Sequence, residues 1–158
     1  MTMILDGSAG VTFPNSTVQA SGSKVLQVVN ANYSTAVTNN TSTMASTGLT
    51  ASITPLFSTS KILVILSVST VYKFTANTGA ILQLYRGGSN VFQFEYTGGA
   101  NNSVNADTYT SATTYLDSPA TTSATSYTVY FASQGNTAGI TVQVNGGSST
   151  MTLMEIAA

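Results

Sequence analysis

The stretch LQLYRGGSNVFQFEY, residues 82–96, alternates apolar and polar side chains on either side of a short glycine-containing segment. Its apolar residues are spaced two apart around Gln83, Gln93 and Glu95: Leu82, Leu84, Phe92, Phe94 and Tyr96. A period of two is typical of a half-buried β-strand, because successive side chains point to opposite faces. Gly87-Gly88-Ser89-Asn90, between the two halves, has the composition of a hairpin turn. The stretch therefore predicts a β-hairpin.

The same alternation recurs through the rest of the chain, whereas helical periodicity is hard to find. Further strands are predicted at residues 24–33, 49–54, 61–72, 108–116, 127–131, 140–144 and 151–156. The run Ile62-Leu63-Val64-Ile65-Leu66 is apolar at every position, as expected of a central strand that is covered on both faces. About eight or nine strands with short turns and no helix predict an all-β fold, an antiparallel β-sandwich of the jelly-roll type.

The chain is unusually poor in charge. Only 6% of its 158 residues are charged, and its net charge is −1, whereas about 25% charged residues is usual. The four basic residues are scattered: Lys24, Lys61, Lys73 and Arg86. Without a basic patch, neither nucleic-acid binding nor a membrane-surface role is expected. The longest apolar run is also too short to cross a bilayer, and we expect no signal peptide.

Two residue types that carry much catalytic and metal chemistry are missing. The chain has no histidine and no cysteine, which excludes Ser-His and Cys-His nucleophiles and His/Cys zinc sites. Its acidic residues are Asp6, Glu95, Asp107, Asp117 and Glu155. Asp117 is explained as a turn cap in Asp117-Ser118-Pro119, so the facing carboxylate pair of a glycosidase is not expected. We predict a non-enzymatic protein with no cofactor and no metal site.

Residues 1–23 precede the first convincing strand and are predicted to form an arm, with the sandwich over residues 24–158. Gly22-Ser23-Lys24 is similar to the end of a phosphate-binding loop, but the earlier glycine is missing and a strand follows in place of a helix. A plain linker would not need apolar residues spaced through it. We therefore predict an arm that docks onto a partner or another copy through Val11, Phe13, Pro14 and Val18.

Residues 98–107 form a long polar segment between two predicted strands. It is interpreted either as a solvated connection or as a contact surface at one end of the sandwich. The candidate contact residues are Tyr96, Asn101, Asn102, Asn105 and Tyr109. Asp107 and the asparagine oxygens are also a candidate calcium site, although asparagine is common in turns for its own reasons.

Low charge and open sheet edges together predict self-association. Monomers usually protect their edge strands with lysine or proline, and this chain has four basic residues and three prolines. A net charge near zero also favours association. We therefore expect a closed homo-oligomer. Apolar residues left over for its contacts are Val91, Tyr130, Met154 and Ile156.

Three stretches of the chain resemble exterior virion proteins of tailed bacteriophages. DGSAGVTFPNSTVQ (residues 6–19) resembles their opening, LDSPATTSATSY (residues 116–127) a segment near their end, and TMTLMEI (residues 150–156) their closing strand. Proteins of this family are described as tail-fibre-like or as structural proteins. The resemblance implies a trimeric jelly roll on the outside of a virion, and it supplies no catalytic residues.

Within this family, a short arm favours a homotrimeric capsid decoration protein, a cement or head-fibre protein. Its expected partners are its own copies and the major capsid protein, and its expected location is the outer surface of the virion, on the capsid more than on the tail. The alternative is a small tail fibre or tail-tip module that binds a host-surface glycan through the loop at residues 98–107.

Overall fold

In a computed structural model of the chain, the structure describes residues 4–6, 10–12, 18–19, 24–98, 107–134 and 139–158. These residues form 13 β-strands and one short 3-10 turn at Val144–Gly146, and they contain no α-helix. The strands are β1 (Ile4–Asp6), β2 (Gly10–Thr12), β3 (Val18–Gln19), β4 (Val25–Tyr33), β5 (Val37–Asn39), β6 (Ala45–Ile53), β7 (Lys61–Lys73), β8 (Gly79–Arg86), β9 (Ser89–Gly98), β10 (Asp107–Asp117), β11 (Thr125–Gln134), β12 (Ile140–Val142) and β13 (Ser149–Ile156). The predicted all-β class is confirmed.

Eight of these strands pair in a nested order that defines the fold. β4 pairs with β13, β6 with β11, β7 with β10 and β8 with β9, and every pair is antiparallel. The chain thus runs back along itself as one long ribbon, which is rolled into two sheets of order β4-β13-β7-β10 and β6-β11-β8-β9. Two such sheets make a jelly roll, so the predicted antiparallel sandwich is confirmed.

β7 is the central strand of the first sheet. Along one edge it pairs with β10 from Ile62 to Lys73. Along the other edge it pairs first with β13 and then with the short strand β12. β12 also pairs with β5, so these two three-residue strands extend the first sheet beyond the eight strands of the jelly roll.

The inner face of β7 is fully buried, but its outer face is open. Ile62 and Val64 are 0% exposed, whereas Leu63 is half-buried and Ile65 is 41% exposed. A two-layer sandwich covers each sheet only on the side that faces the other sheet. The expectation that β7 is covered on both faces is therefore wrong for the single chain.

The hydrophobic core lies between the two sheets. Its side chains come from alternate positions of the strands, as the period of two in the sequence predicts. The largest buried apolar side chains include Leu49, Ile53, Ile62, Leu82, Leu84, Tyr127, Phe131, Ile140, Met151 and Leu153. Since burial of one such side chain contributes roughly 1.5–3 kcal/mol, this layer is the main source of stability.

A β-bulge in β9 reverses the alternation that the sequence predicts there. Gln93 lies opposite Gln83, but Glu95 lies opposite Leu82. Phe94 and Glu95 together therefore oppose one residue of β8, which is the arrangement of a bulge. A shift of one residue moves the side chains that follow it to the other face of the sheet, up to the next irregularity, which here lies between Glu95 and Gly98.

The bulge decides the surroundings of Glu95 and Tyr96. Glu95 is half-buried and accepts a hydrogen bond from the Ser111 hydroxyl at 3.2 Å, whereas Tyr96 is 57% exposed. Phe92 and Phe94 both pack against the core. The predicted common face of Phe92, Phe94 and Tyr96 is therefore wrong for Tyr96, and the predicted outward direction of Glu95 is wrong as well.

The described residues of the predicted arm pair with one another as a small antiparallel sheet. β2 pairs with β1 and with β3, so that Val11 lies opposite Leu5 and Gln19. Val11 and Val18 thus lie on paired strands, while Phe13 and Pro14 lie outside the described residues. The docking role of these four residues stays a prediction.

Gly48 tests how closely β4 packs against β6. Its φ of +87° disfavours a side chain, and a Cβ there would overlap the ring of Tyr33. We expect Gly48→Ala to lower the free energy of unfolding by about 3 kcal/mol, because backbone strain and overpacking add. Gly88→Ala is the matched control, since Gly88 has φ of +88° with open space around its Cβ. Equal losses for both variants in urea denaturation would contradict the role given to Tyr33.

Candidate functional site

A buried ionic cluster around Asp117 joins the two sheets at one end of the sandwich. Asp117 ends β10 in the first sheet, whereas Arg86 ends β8 and Tyr127 lies in β11 of the second. Arg86 Nη1 lies 2.8 Å from each carboxylate oxygen of Asp117. The Tyr127 hydroxyl donates to Oδ2 at 2.6 Å. Asp117 is 4% exposed and Tyr127 is 0% exposed, so the cluster is a cross-sheet contact.

The surroundings of the cluster hold its donors in their protonated forms. Burial raises the pKa of the Tyr127 phenol well above its usual range, and the hydrogen bond to Asp117 raises it further. The same carboxylate raises the pKa of the Arg86 guanidinium through its hydrogen bond, against the opposing effect of desolvation. Asp117 therefore serves as the acceptor of this cluster, in place of the predicted turn cap.

A second buried carboxylate, Glu155 in β13, holds the loop between β6 and β7. Glu155 is 0% exposed. It accepts hydrogen bonds from the backbone N–H groups of Leu56 at 2.8 Å and Phe57 at 3.4 Å. Gln27 Nε2 donates to Glu155 at 2.6 Å and to the Thr54 carbonyl at 2.7 Å. Burial alone would raise the pKa of Glu155, but these hydrogen bonds outweigh it and lower the pKa.

Neither buried carboxylate is placed to exchange protons with a substrate. Asp117 and Glu155 are enclosed, and both bond to donors of this chain. In the part of the chain that the structure describes, no group of three or more His, Cys, Asp or Glu residues could hold a metal ion. No helix formed by the described residues is long and apolar enough to cross a membrane.

The predicted contact loop is described only at its two ends. Tyr96 is 57% exposed near the end of β9, whereas Tyr109 in β10 packs against the hydrophobic core. Asn101, Asn102 and Asn105 lie outside the described residues. Among the described contact candidates, Tyr96 is therefore the one that reaches the surface, and the calcium alternative at Asp107 stays a prediction.

The outer face of the second sheet carries a stacked pair of tyrosines. The rings of Tyr85 in β8 and Tyr130 in β11 have centroids 4.2 Å apart and planes inclined by 29°. Polar side chains beside them bond to each other: Gln83 to Gln93 at 2.8 Å and Thr50 to Thr128 at 2.9 Å. This face, which we call the tyrosine face, offers ring stacking and hydrogen bonding side by side.

The tyrosine face illustrates what sequence reasoning missed. Tyr130, predicted as an apolar residue left over for oligomer contacts, lies on this outer face and stacks on Tyr85, and its role in contacts stays a prediction. Tyr85 and Tyr130 both lie on the outer side of their strands. Their stacking could have been predicted only if β8 and β11 were known to be neighbours. Val91, another predicted contact residue, packs against the core instead.

The outer face of the first sheet carries an apolar row that crosses all four long strands. Val28 of β4, Met154 of β13, Leu63 of β7 and Leu116 of β10 are neighbours in register. Val28 is 56% exposed and Leu116 is 50% exposed. We call these four residues the apolar ridge. Met154, predicted from the sequence as left over for contacts, lies within it.

A shallow trough of about 540 Å³ lies beside the apolar ridge. Ile65 lines it together with small side chains: Ser67, Ala112, Thr114, Thr150 and Thr152. Except for Ile65, these side chains are smaller than those of the ridge, which leaves room for the trough. Lys61 lies two residues before Leu63 on β7 and therefore on the same outer face. It is exposed at the end of that face.

No protein-family model matches the chain, and no curated protein sequence matches it. Among solved structures, the VP2 subviral particle of infectious bursal disease virus is similar, with a TM-score of 0.48 and 10% sequence identity. The match covers 92% of this chain and 41% of the VP2 chain, so the chain spans less than half the length of that protein. The jelly roll described above rests on the strand pairing of this chain itself.

Asp117 tests the cross-sheet cluster. We expect Asp117→Ala to lower the free energy of unfolding by about 2 kcal/mol, because it leaves the buried Tyr127 hydroxyl and the partly exposed Arg86 guanidinium without their acceptor. Tyr127→Phe keeps the ion pair and removes one hydrogen bond to a charged group, so its loss should be nearer 1.5 kcal/mol. Guanidinium denaturation measures both variants. A loss below about 1 kcal/mol for Asp117→Ala would mean that the cluster is not a stabilising contact.

The lowered pKa of the buried Glu155 carboxylate leads us to expect that acid destabilises the fold. Its pKa is lower in the folded chain than the ordinary value of 4.5, so the unfolded chain takes up protons first as the pH falls. The stabilisation is therefore complete above the unfolded-state pKa and is lost as the pH falls through the folded-state pKa. We expect Glu155→Gln to be less stable than wild type at pH 7 and to lose less stability on acidification. Parallel pH curves for the two proteins would rule out this role.

Proposed function

We propose that this chain is a non-enzymatic structural protein of a bacteriophage virion, a homotrimer that decorates the outer surface of the capsid and binds the major capsid protein. The resemblance of residues 6–19, 116–127 and 150–156 to phage virion proteins supports the phage assignment. The jelly roll is compatible with it, because this architecture is common in capsid domains, although a fold alone does not define a function.

The observation that carries the assembly part of the proposal is the scarcity of exposed charge among the residues whose burial the structure describes. Of the charged side chains whose burial the structure describes, the exposed ones are Lys24 and Lys61. The others are buried or half-buried: Lys73, Arg86, Glu95, Asp117 and Glu155. A protein whose surface has so little charge has little repulsion between copies. Such a surface is suited to packed contacts with neighbouring subunits.

A decoration protein of this kind works by contact area and multiplicity. Each copy of a trimer that bridges neighbouring capsid subunits adds one contact, and three linked contacts hold far better than one. No chemical step is needed, which is in keeping with carboxylates that bond within the chain. The segment before β4, which contains Val11 and Val18, would add a docking contact from each copy.

The tyrosine face favours one alternative, a small tail fibre or tail-tip module that binds a host-surface glycan. Sugar rings present apolar faces that stack on aromatic side chains and hydroxyl groups that bond to amides. Tyr85 and Tyr130 provide the first, and Gln83 and Gln93 the second. The loop at residues 98–107 stays a second predicted site for the same alternative, since residues 99–106 lie outside the described residues.

Imaging of phage particles by cryo-electron microscopy tests the proposed function. We expect copies spread over the capsid, and light scattering of the purified chain should give three times its mass of 16.3 kDa. Particles that lack the protein should lose infectivity at a lower temperature than intact particles, because the bridging contacts are gone. Unchanged heat resistance would contradict the cementing role.

Copies clustered at the tail would contradict decoration and favour the alternative. In that case Tyr85→Ala should reduce retention on immobilised host polysaccharide. Phe57→Ala is the matched control, because Phe57 is an exposed aromatic residue on the loop between β6 and β7 that is not part of the tyrosine face. Equal retention of both variants and wild type would exclude the tyrosine face as a glycan site.

A further inference from the structure

The side chains of β7 are apolar on both of its faces, but the sandwich covers one face of the strand. The run Ile62-Leu63-Val64-Ile65-Leu66 has the composition of a strand covered on both faces. The sandwich buries Ile62, Val64 and Leu66 and leaves Leu63 half-buried and Ile65 41% exposed. The outer face of the first sheet is therefore apolar at its centre without a covering layer of the sandwich.

The exposed apolar surface runs from one edge of the four long strands to the other. Val28 lies on the edge strand β4 and Leu116 on β10, with Met154 and Leu63 between them in register. The two ends of the row lie three strand spacings apart, which is about 14 Å at 4.8 Å per spacing. Scattered apolar side chains are ordinary on a surface, but a continuous row of this width marks an interaction site.

The chemistry of this face matches a second copy of itself. Apart from Lys61 at its end, its described side chains are apolar, hydroxyl or amide groups. Asn30 Nδ2 donates to the Thr152 hydroxyl at 2.9 Å, so polar groups of the face bond to each other. A basic or acidic partner would find no charge to pair with here, whereas a second uncharged face pays no desolvation cost for buried charge.

The relief of the face also suits a second copy. The apolar ridge stands beside a trough floored by small side chains such as Ser67 and Ala112. Both bands run across the strands, parallel to each other. If copies are related by rotation about an axis parallel to the ridge and the trough, the ridge of one copy can face the trough of the next. Each strand then faces the same strand of the neighbouring copy.

We propose that the outer face of the first sheet is the contact between copies of this chain, with the ridge of each copy packed into the trough of its neighbour. This contact is heterologous, and it closes into a ring of three when each copy gives its ridge to one neighbour and its trough to the other. The proposal rests on the homotrimer of the proposed function and names the surface that forms it.

The absence of native cysteine allows a direct cross-linking test. Leu116→Cys places a thiol on the ridge, and Ala112→Cys places one in the trough on the same strand. Four residues along a strand span about 13 Å, too far for a disulfide within one chain. We expect the double variant to give covalent trimers on mild oxidation in denaturing electrophoresis, and each single variant to give far less.

Charge insertion provides the second measurement. We expect Leu116→Lys, and independently Val28→Lys, to reduce the mass from light scattering threefold, because each buries a lysine in the contact. Leu56→Lys is the matched control, since Leu56 is 59% exposed on the loop between β6 and β7. The control should keep the mass of wild type. Circular dichroism confirms that each variant retains the fold.

The outcomes separate this proposal from the proposed function. A wild-type trimer that persists in both lysine variants, without cross-links in the double variant, overturns the contact surface and leaves the homotrimer standing. Cross-linked dimers in place of trimers support the surface and overturn the ring of three. A wild-type chain that is monomeric at every concentration overturns both the surface and the homotrimer, while the place of the protein on the particle is decided separately by imaging.

Discussion

The pairing of β7 along both of its edges is the constraint on which the rest of the sandwich depends. β10 holds one edge, and β13 with β12 holds the other. A strand in this position has its backbone groups satisfied on both sides, so it cannot shift without breaking two ladders at once. The positions of β10 and β13 then determine those of two further strands. β11 follows β10 in the chain and enters the second sheet, and β4 pairs with the remaining edge of β13.

Much of this architecture could be predicted because the alternation of side chains is a local property of the sequence. Phe131, Leu153 and Leu82 are buried where the period of two places them. The nested strand order could not be derived in the same way, because it depends on pairings between residues up to about 130 positions apart, such as Ile156 with Val25. Sequence patterns do not show which strands are neighbours.

The errors of prediction have physical causes that are specific to their residues. The bulge in β9 inserts one residue into a regular pattern, and nothing in the letters Phe94-Glu95 distinguishes it from an unbroken strand. The bonding of Asp117 depends on Arg86 and Tyr127 from two other strands, whereas its local sequence suggested a turn. The two outer faces were also invisible as surfaces, because each combines residues from several strands that are far apart in the sequence.

The nested pairing has a consequence for how the protein is made. Among the strands that the structure describes, β4 pairs with β13 alone, and the Ala157 N–H donates to the Lys24 carbonyl at 2.8 Å beside that pair. During synthesis both edges of the first long strand of the sandwich therefore stay unpaired until β13 has left the ribosome. Long-range pairing of this kind slows folding and leaves strands open to aggregation meanwhile. Because only 6% of the residues are charged, little charge protects those open edges from pairing with another chain before β13 is in place.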